Sequence, residues 1–302
     1  MRRGLLLFNP EATRVSHRTR DVIAHALSAE LKLDIAETKR RNHATHLARG
    51  AAHEGYDVVV CFGGDGTLNE VINGLAETDV PLVPIPGGGT NVFARTMGLP
   101  KNPIEATSIV LEHLHAGTEP RRINLGRMNG RMFSFAAGAG LDAEVVLSVE
   151  RATRTRKRFG EWSFVTHAVK TVMKQQGRRG RLRVMAGGQE IERAHAAIVC
   201  NSRPFTFLGD RPFDVCPQAD LEKGLDATIV TTLALPTILR IVGAAFGSGD
   251  YSKIRKVSAF HDLDGLRVEA DEPVPVQVDG DYAGTASVVE FESVPRALAV
   301  IA

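Results

Sequence analysis

No apolar run in this 302-residue chain approaches the ~18–20 residues that a membrane-spanning helix needs, which excludes an integral helical membrane protein. Cysteine is scarce: Cys61, Cys200 and Cys216 are odd in number, widely spaced and free of any CxxC pattern. That argues against a disulfide scaffold and gives the expectation of a reduced, cytoplasmic chain with structural thiols. Neither a GxxxxGK[ST] phosphate loop nor an HRD or DFG element occurs, so a Walker-type nucleotidase does not fit and a protein kinase is excluded. Residues 1–10 lack the full apolar core and small-residue cleavage site of a signal peptide, and read as a first strand.

What is present is ordinary in bulk and uneven in detail. A hydrophobic fraction of 43% with 24% charged residues can bury large cores, and the length suggests about two domains. The net charge of +2 hides an asymmetry. Residues 151–183 hold eleven Lys or Arg against one acid, Glu161, so this window carries +10 and the rest of the chain −8. Its aromatics, such as Phe159 and Trp162, are too few to stack bases, so no nucleic-acid partner is expected.

The first third alternates strand and helix signals. Residues 4–8, 33–38, 56–62 and 81–86 read as strands, the third a valine-rich run typical of burial on both faces. Between them, Val22, Ile23, Ala26, Leu27 and Leu31 share a helical face after Ser16 as N-cap. Ala44, Leu47, Ala48 and Ala51 form a second such face, and Leu68, Val71, Ile72 and Leu75 a third. Alternating β and α units imply a parallel sheet covered by helices. Past residue 122 the pattern shifts to short alternating stretches, such as Leu182-Arg183-Val184 and Val274 to Val278, with helix candidates near 159–175 and 236–246. An antiparallel sheet or sandwich is expected there.

Two loops carry the chemistry. In Cys61-Phe62-Gly63-Gly64-Asp65-Gly66-Thr67 a strand runs through three glycines straight into a helix. A tight βα turn needs one glycine and a cap. Three glycines around an acid point instead to backbone amides approaching a phosphate at a helix start. Pro86-Gly87-Gly88-Gly89-Thr90-Asn91 repeats the arrangement after the next strand.

These residues, with the Asn9-Pro10 strand end, resemble the catalytic domain of the diacylglycerol kinase and sphingosine kinase superfamily, above all its soluble bacterial lipid kinases. The resemblance continues through Gly138-Ala139-Gly140-Leu141-Asp142-Ala143, Cys216-Pro217-Gln218-Ala219 with Gly224-Leu225, and Val278-Asp279-Gly280-Asp281, spanning nearly the whole chain. It implies an α/β fold: an NAD-kinase-like nucleotide-binding domain over 1–122, with a last strand near 292–302 returning to it, and a lipid-binding β-sandwich domain over 123–291. It implies an ATP- and Mg²⁺-dependent kinase that phosphorylates diacylglycerol to phosphatidic acid. The alternatives are a kinase of a sphingoid base or ceramide, an NAD kinase, or a non-catalytic relative.

Carried over residue by residue, Asn9, Pro10, Thr38, Gly63, Gly64, Asp65, Gly66, Thr67, Leu68, Asn69, Glu70, Gly89, Thr90 and Asn91 would bind the nucleotide. Asp65 would reach the phosphates through Mg²⁺ and water. Asp279 and Asp281 would flank the acceptor hydroxyl, with Asp281 as proton acceptor, and Asp142 would lie near the lipid head group. Val92 and Asn124 stand where many bacterial members have Asp, and Lys223 replaces an acid that holds a structural metal in some of them. Asp279-Gly280 between apolar residues also reads as a hairpin turn. His43, His46 and His53 read as solvated helix residues. Gly138-x-Gly140-x-x-Ala143 lacks the ribose-binding acid of a dinucleotide fingerprint. The remaining expectations are a lipid substrate in a membrane, peripheral contact of 151–183 with an anionic membrane surface, and an open choice between monomer and homodimer.

Overall fold

The computed structural model describes residues 2–155, 171–172, 174–175, 177, 179–247, 249–251 and 253–302. Most of the expected helix near 159–175 and much of the basic window 151–183 lie outside the described residues. The chain divides into two compact units, Met1–Leu125 with Pro295–Ala302, and Gly126–Val294.

In the first unit the elements are β1 (Arg2–Phe8), α1 (His17–Leu27), β2 (Leu31–Glu37), α2 (His43–His53), β3 (Val58–Gly63), α3 (Asp65–Leu75), β4 (Leu82–Pro86), α4 (Val92–Thr96) and α5 (Pro103–Ala116), leading into β5 (Arg121–Met128). Strands pair in the order β2-β1-β3-β4, all parallel. Every residue of β3 is buried, as its valine run predicts. Leu6, Phe8, Val60, Phe62, Val83 and Ile85 pack with Ile23, Leu27, Val110 and Leu114 from the helices. The Ser16 hydroxyl caps α1, accepting from the Thr19 amide at 3.1 Å. Val22, expected on the inner face, is 48% exposed. Adjacent helical residues lie about 100° apart, and Ile23 takes the buried position.

The second unit holds β6 (Arg131–Phe133), β7 (Ala136–Gly140), α6 (Leu141–Thr155), β8 (Leu182–Ala186), β9 (Gln189–Ala194), β10 (Ala196–Cys200), β11 (Thr206–Leu208), β12 (Arg211–Phe213), β13 (Leu225–Val230), α7 (Leu235–Phe246), β14 (Val257–Leu263), β15 (Gly265–Val278) and the start of β16 (Asp281–Val300). Antiparallel pairing runs β7-β10-β13-β14. The long β15 changes partner: residues 266–270 pair with β8 and residues 276–278 with β7. Strands that switch sheets in this way turn the corners of a sandwich. Ala137, Ala139, Val184, Val199, Ile229, Val268, Val276 and Phe291 form its core. The α/β class with an antiparallel, sandwich-like second part agrees with the sequence reading.

The final residues then pair within the first unit. Val300 lies parallel to Leu82 of β4, and the Ile301 amide donates to the Leu82 carbonyl at 3.0 Å. The Asn124 Oδ1 accepts from the Arg296 amide at 2.8 Å.

Candidate active site

Connections from β1 lead first to β2 on one side; α2 then carries the chain back to β3 on the other. The strand order therefore reverses between β1 and β3, and ligands of such sheets bind beyond the carboxyl ends at that point. Asn9-Pro10 leaves β1 there and Gly63 to Thr67 leaves β3. The Asn9 Nδ2 donates to Thr67 Oγ1 at 2.9 Å, tying the two exits together. Thr38, just past β2, is held by its own amide, which donates to the Phe8 carbonyl at 2.9 Å.

Backbone approach explains the glycines. None of Gly63, Gly64, Gly87 and Gly88 has a positive φ. A Cβ on Gly88 would lie 2.7 Å from the Gly64 Cα, and one on Gly87 2.9 Å from the Gly63 Cα. The Gly87 amide donates to the Gly63 carbonyl at 2.7 Å, so the two loops pack main chain against main chain. Gly89 is different: it is exposed, with nothing within 4 Å of a Cβ position, and faces open space. Asn91 sits in the left-handed region at φ 51°, where Asn is tolerated, and its side-chain amide clamps Gly88. Oδ1 accepts from the Gly88 amide at 2.7 Å and Nδ2 donates to the Gly88 carbonyl at 2.9 Å. Thr90, between Gly89 and Asn91, is half-buried, as are Asn9, Pro10, Gly64 and Gly66.

At the start of α3, Gly64 occupies the N-cap and no side chain caps the helix. The first-turn amides, over Asp65, Gly66 and Thr67, are therefore suited to an anion. Thr67, Leu68 and Asn69 turn inward and are buried. Asp65 is half-buried, and its Oδ1 accepts from the Phe93 amide at 3.2 Å. Glu70 serves a neighbouring element: its two oxygens accept from the Asn42 and Ala44 amides at 2.7 and 3.1 Å. Asn42 sits at φ 62° and does not cap α2 with its own side chain, so Glu70 supplies the missing cap.

Among the described residues no group of three or more His, Cys, Asp or Glu gathers to hold a metal. Asp65 is a carboxylate beside glycine amides at the start of α3. That donor set fits Mg²⁺, which is commonly held by one or two carboxylates together with substrate phosphates and water.

In the second unit Asp279 and Gly280 form the tip of the hairpin joining β15 and β16, with φ 48° and 78° and Val278 paired to Asp281. Two positive φ values mark the turn that suits the twist of hairpin strands. The turn chemistry is real, and the Asp279 side chain does more. Its Oδ1 accepts from the amides of Phe135 and Ala136 at 3.0 and 3.2 Å, and its Oδ2 from the Ser134 amide and hydroxyl at 2.9 and 3.0 Å. Asp279 is buried, whereas Asp281 is half-buried at the head of β16.

Gln277 extends this anchoring. Its Oε1 accepts from the Gly280 amide at 3.0 Å and its Nε2 donates to Asp142 Oδ2 at 2.7 Å. Asp142 lies in the first turn of α6; burial lifts its carboxyl from the ordinary 3.8 to about 6, partly offset by the Gln277 hydrogen bond. A Cβ on Gly138 would sit 2.3 Å from Asp142 Oδ2, so Gly138 makes room for this acid. Gly140, at φ 83° against the His195 carbonyl, is likewise a packing glycine. The Gly-x-Gly of this stretch is explained by local packing alone. Gln277 and Ser134 escaped the sequence reading, although a lone polar residue among Val274, Val276 and Val278 was the available signal.

A pH dependence follows. The folded-state value of Asp142 lies above the unfolded one, so protonation is favoured in the folded protein. The stability this gives is present below about pH 4 and is lost as pH rises to about 6, at a cost of about 3 kcal/mol. Asp142→Asn should therefore exceed the wild type in stability above pH 6, by up to that amount, with the gap closing toward pH 4. Urea unfolding at four pH values measures it, and a gap that ignores pH would contradict the burial cost.

Comparison with known proteins gives the family. The model of the diacylglycerol kinase catalytic domain matches residues 3–127, and that of the YegS C-terminal NAD kinase beta sandwich-like domain matches residues 136–302. A diacylglycerol kinase of Bacillus subtilis (strain 168) is 34% identical over 296 residues, covering 94% of this chain and 91% of its own. One from Staphylococcus carnosus (strain TM300) is 25% identical over 289 residues, covering 94% and 90%. The crystal structure of a diacylglycerol kinase from Bacillus anthracis str. Sterne shares the fold, with a TM-score of 0.73 at 21% identity over 99% of this chain and 96% of that one. With paired glycine loops in one unit and an acid-bearing hairpin in the other, the chain belongs to the diacylglycerol kinase family and is a lipid kinase acting on a hydroxyl group.

Proposed function

We propose that the protein transfers the γ-phosphoryl group of ATP, with Mg²⁺, to the free hydroxyl of diacylglycerol, giving phosphatidic acid and ADP. The observation that carries this reading is the pair of interlocked glycine loops at the strand-order reversal, with an uncapped helix start and one carboxylate beside them. Phosphoryl transfer asks little covalent chemistry of a protein; positioning and charge stabilisation supply most of the rate.

Amides of Gly64, Gly66, Thr67, Gly89 and Thr90 receive the triphosphate, and Asn9 orients the Thr67 hydroxyl through its 2.9 Å hydrogen bond. Thr38 and Pro10 border the nucleotide; Asn91, Leu68, Asn69 and Glu70 support the loops from behind. Asp65 holds Mg²⁺, which when bound neutralises charge on the phosphates. Asp281 takes the proton as the substrate oxygen bonds to phosphorus and the bond to the β-phosphate oxygen breaks. Asp279 positions Asp281 by fixing the hairpin tip, and Asp142 meets the glycerol head group. The sequence charge of +10 over residues 151–183 favours contact of that window with an anionic membrane.

Radiolabelled ATP offered with diacylglycerol, sphingosine, ceramide and NAD in separate mixed-micelle reactions tests this. Label should enter phosphatidic acid. Label in a sphingoid phosphate or in NADP instead would replace the substrate, and label in none would leave a binding protein.

A further inference from the structure

Helix α7 is apolar on two neighbouring faces, about 100° apart. Ile238 and Ile241 pack inward against Leu141, Val172, Ala196, Val230 and Leu233, and Ala245 is buried. The other face carries Leu235, Leu239, Val242 and Phe246, spaced four, three and four residues apart in one stripe. These four are 55%, 62%, 39% and 45% exposed, and together they are half of the large exposed hydrophobics among the described residues. Arg240 is the only charged residue of the helix. A surface helix normally turns a polar face to water, and a contiguous exposed apolar stripe marks an interaction surface.

The charge around α7 indicates what covers it. At its amino-terminal end a cavity of about 500 Å³ is lined by Arg179, Arg193, Thr231, Thr232 and Ala234, and among the described residues no acid lines it. Arg193 is set in the left-handed region at φ 59°, with Gly180 passing so close to its carbonyl that no Cβ would fit. Both arginines are exposed. An apolar stripe with guanidinium groups at one end matches a bilayer carrying anionic head groups, with side chains entering the acyl boundary and phosphates meeting arginine. A second protein chain would gain from acids or several hydrogen-bonding groups along the helix, and α7 offers only Thr237 beyond Arg240.

We propose that the outer face of α7, with Arg179 and Arg193, is a membrane-docking surface for anionic bilayers. It rests on the lipid-kinase reading, since a bilayer-resident substrate must be met at its surface, and it places contact on described residues distinct from the basic run 154–158.

Co-sedimentation of the full chain with vesicles of phosphatidylcholine alone, or with phosphatidylglycerol added, tests it. Leu239→Ser with Val242→Ser should weaken binding to the anionic vesicles about tenfold or more. Arg179→Gln with Arg193→Gln should weaken binding about tenfold only where phosphatidylglycerol is present. Both variants change exposed side chains, so melting temperatures should match the wild type, and phosphorylation of a dispersed short-chain diacylglycerol should persist. Wild-type vesicle binding by the apolar variant overturns the proposal. So does a wild-type dimer that this variant dissociates without any loss of vesicle binding, which would make the stripe an interface between copies. Vesicle binding that falls as expected in a protein inactive on every lipid would keep the docking surface and reject the kinase substrate instead.

Discussion

Replacing Asp65 by asparagine should leave a folded protein that transfers almost no phosphate. The side chain is half-buried and accepts from the Phe93 amide, a hydrogen bond that an asparagine oxygen can keep. What the substitution removes is charge beside the glycine loops. Loss of a group that acts on developing charge typically costs ~10²–10³ in rate, and loss of a metal ligand adds to that. Turnover measured against Mg²⁺ concentration, with a melting curve as control, makes the check. A folded Asp65→Asn protein with wild-type turnover and unchanged Mg²⁺ dependence would remove Asp65 from the mechanism.

The two acids of the hairpin should separate by what they damage. Asp281→Asn should lower kcat by roughly 10²–10⁴, the usual scale for a lost general base, while KM for ATP and the melting temperature hold. Asp279→Asn should act first on the fold. An amide NH₂ in place of one oxygen faces that oxygen's donors, either the Phe135 and Ala136 amides or the Ser134 amide, and leaves them buried without an acceptor. Breaking a buried charged network of this kind costs roughly 3 kcal/mol or more, or about 10 °C in a unit of this size. If Asp279→Asn melts like the wild type yet loses kcat, while Asp281→Asn stays active, the two roles must be exchanged.

Much of the first unit was legible because its signals are local. A valine run, a 3.6-residue period and a serine cap name β3, α3 and α1 without any distant contact. The helix α5 was missed although Asn102, Pro103 and Gly117 mark both its ends: Asn102 Oδ1 accepts from the Ile104 amide, and Gly117 adopts φ 64°. Its apolar residues are spread around the helix, which blurs the period on which the reading relied. Helix α6 was hidden behind Gly138 and Gly140, which look like turn residues but serve close packing. The site was harder. The glycine loops announce an anion and Asn91 clamps Gly88 from three residues away, yet Glu70 caps α2 across a gap of 28 positions that no local pattern encodes. The same holds for Asp279, whose partners Ser134 to Ala136 lie more than 140 positions away in sequence.

The return of residues 295–302 to the parallel sheet has a bearing on synthesis. A ribosome makes the strands β1 to β4 first, then the whole second unit, and only then the segment that lies beside β4. Until Ala297, Leu298, Ala299, Val300 and Ile301 emerge, the apolar surface they cover stays open and β4 keeps an unpaired edge. The nascent second unit can complete its hairpins while the glycine loops still sit on an unfinished sheet. The parallel sheet is therefore completed late in translation, and a chain that stalls before Pro295 exposes a sheet edge open to pairing with its neighbours.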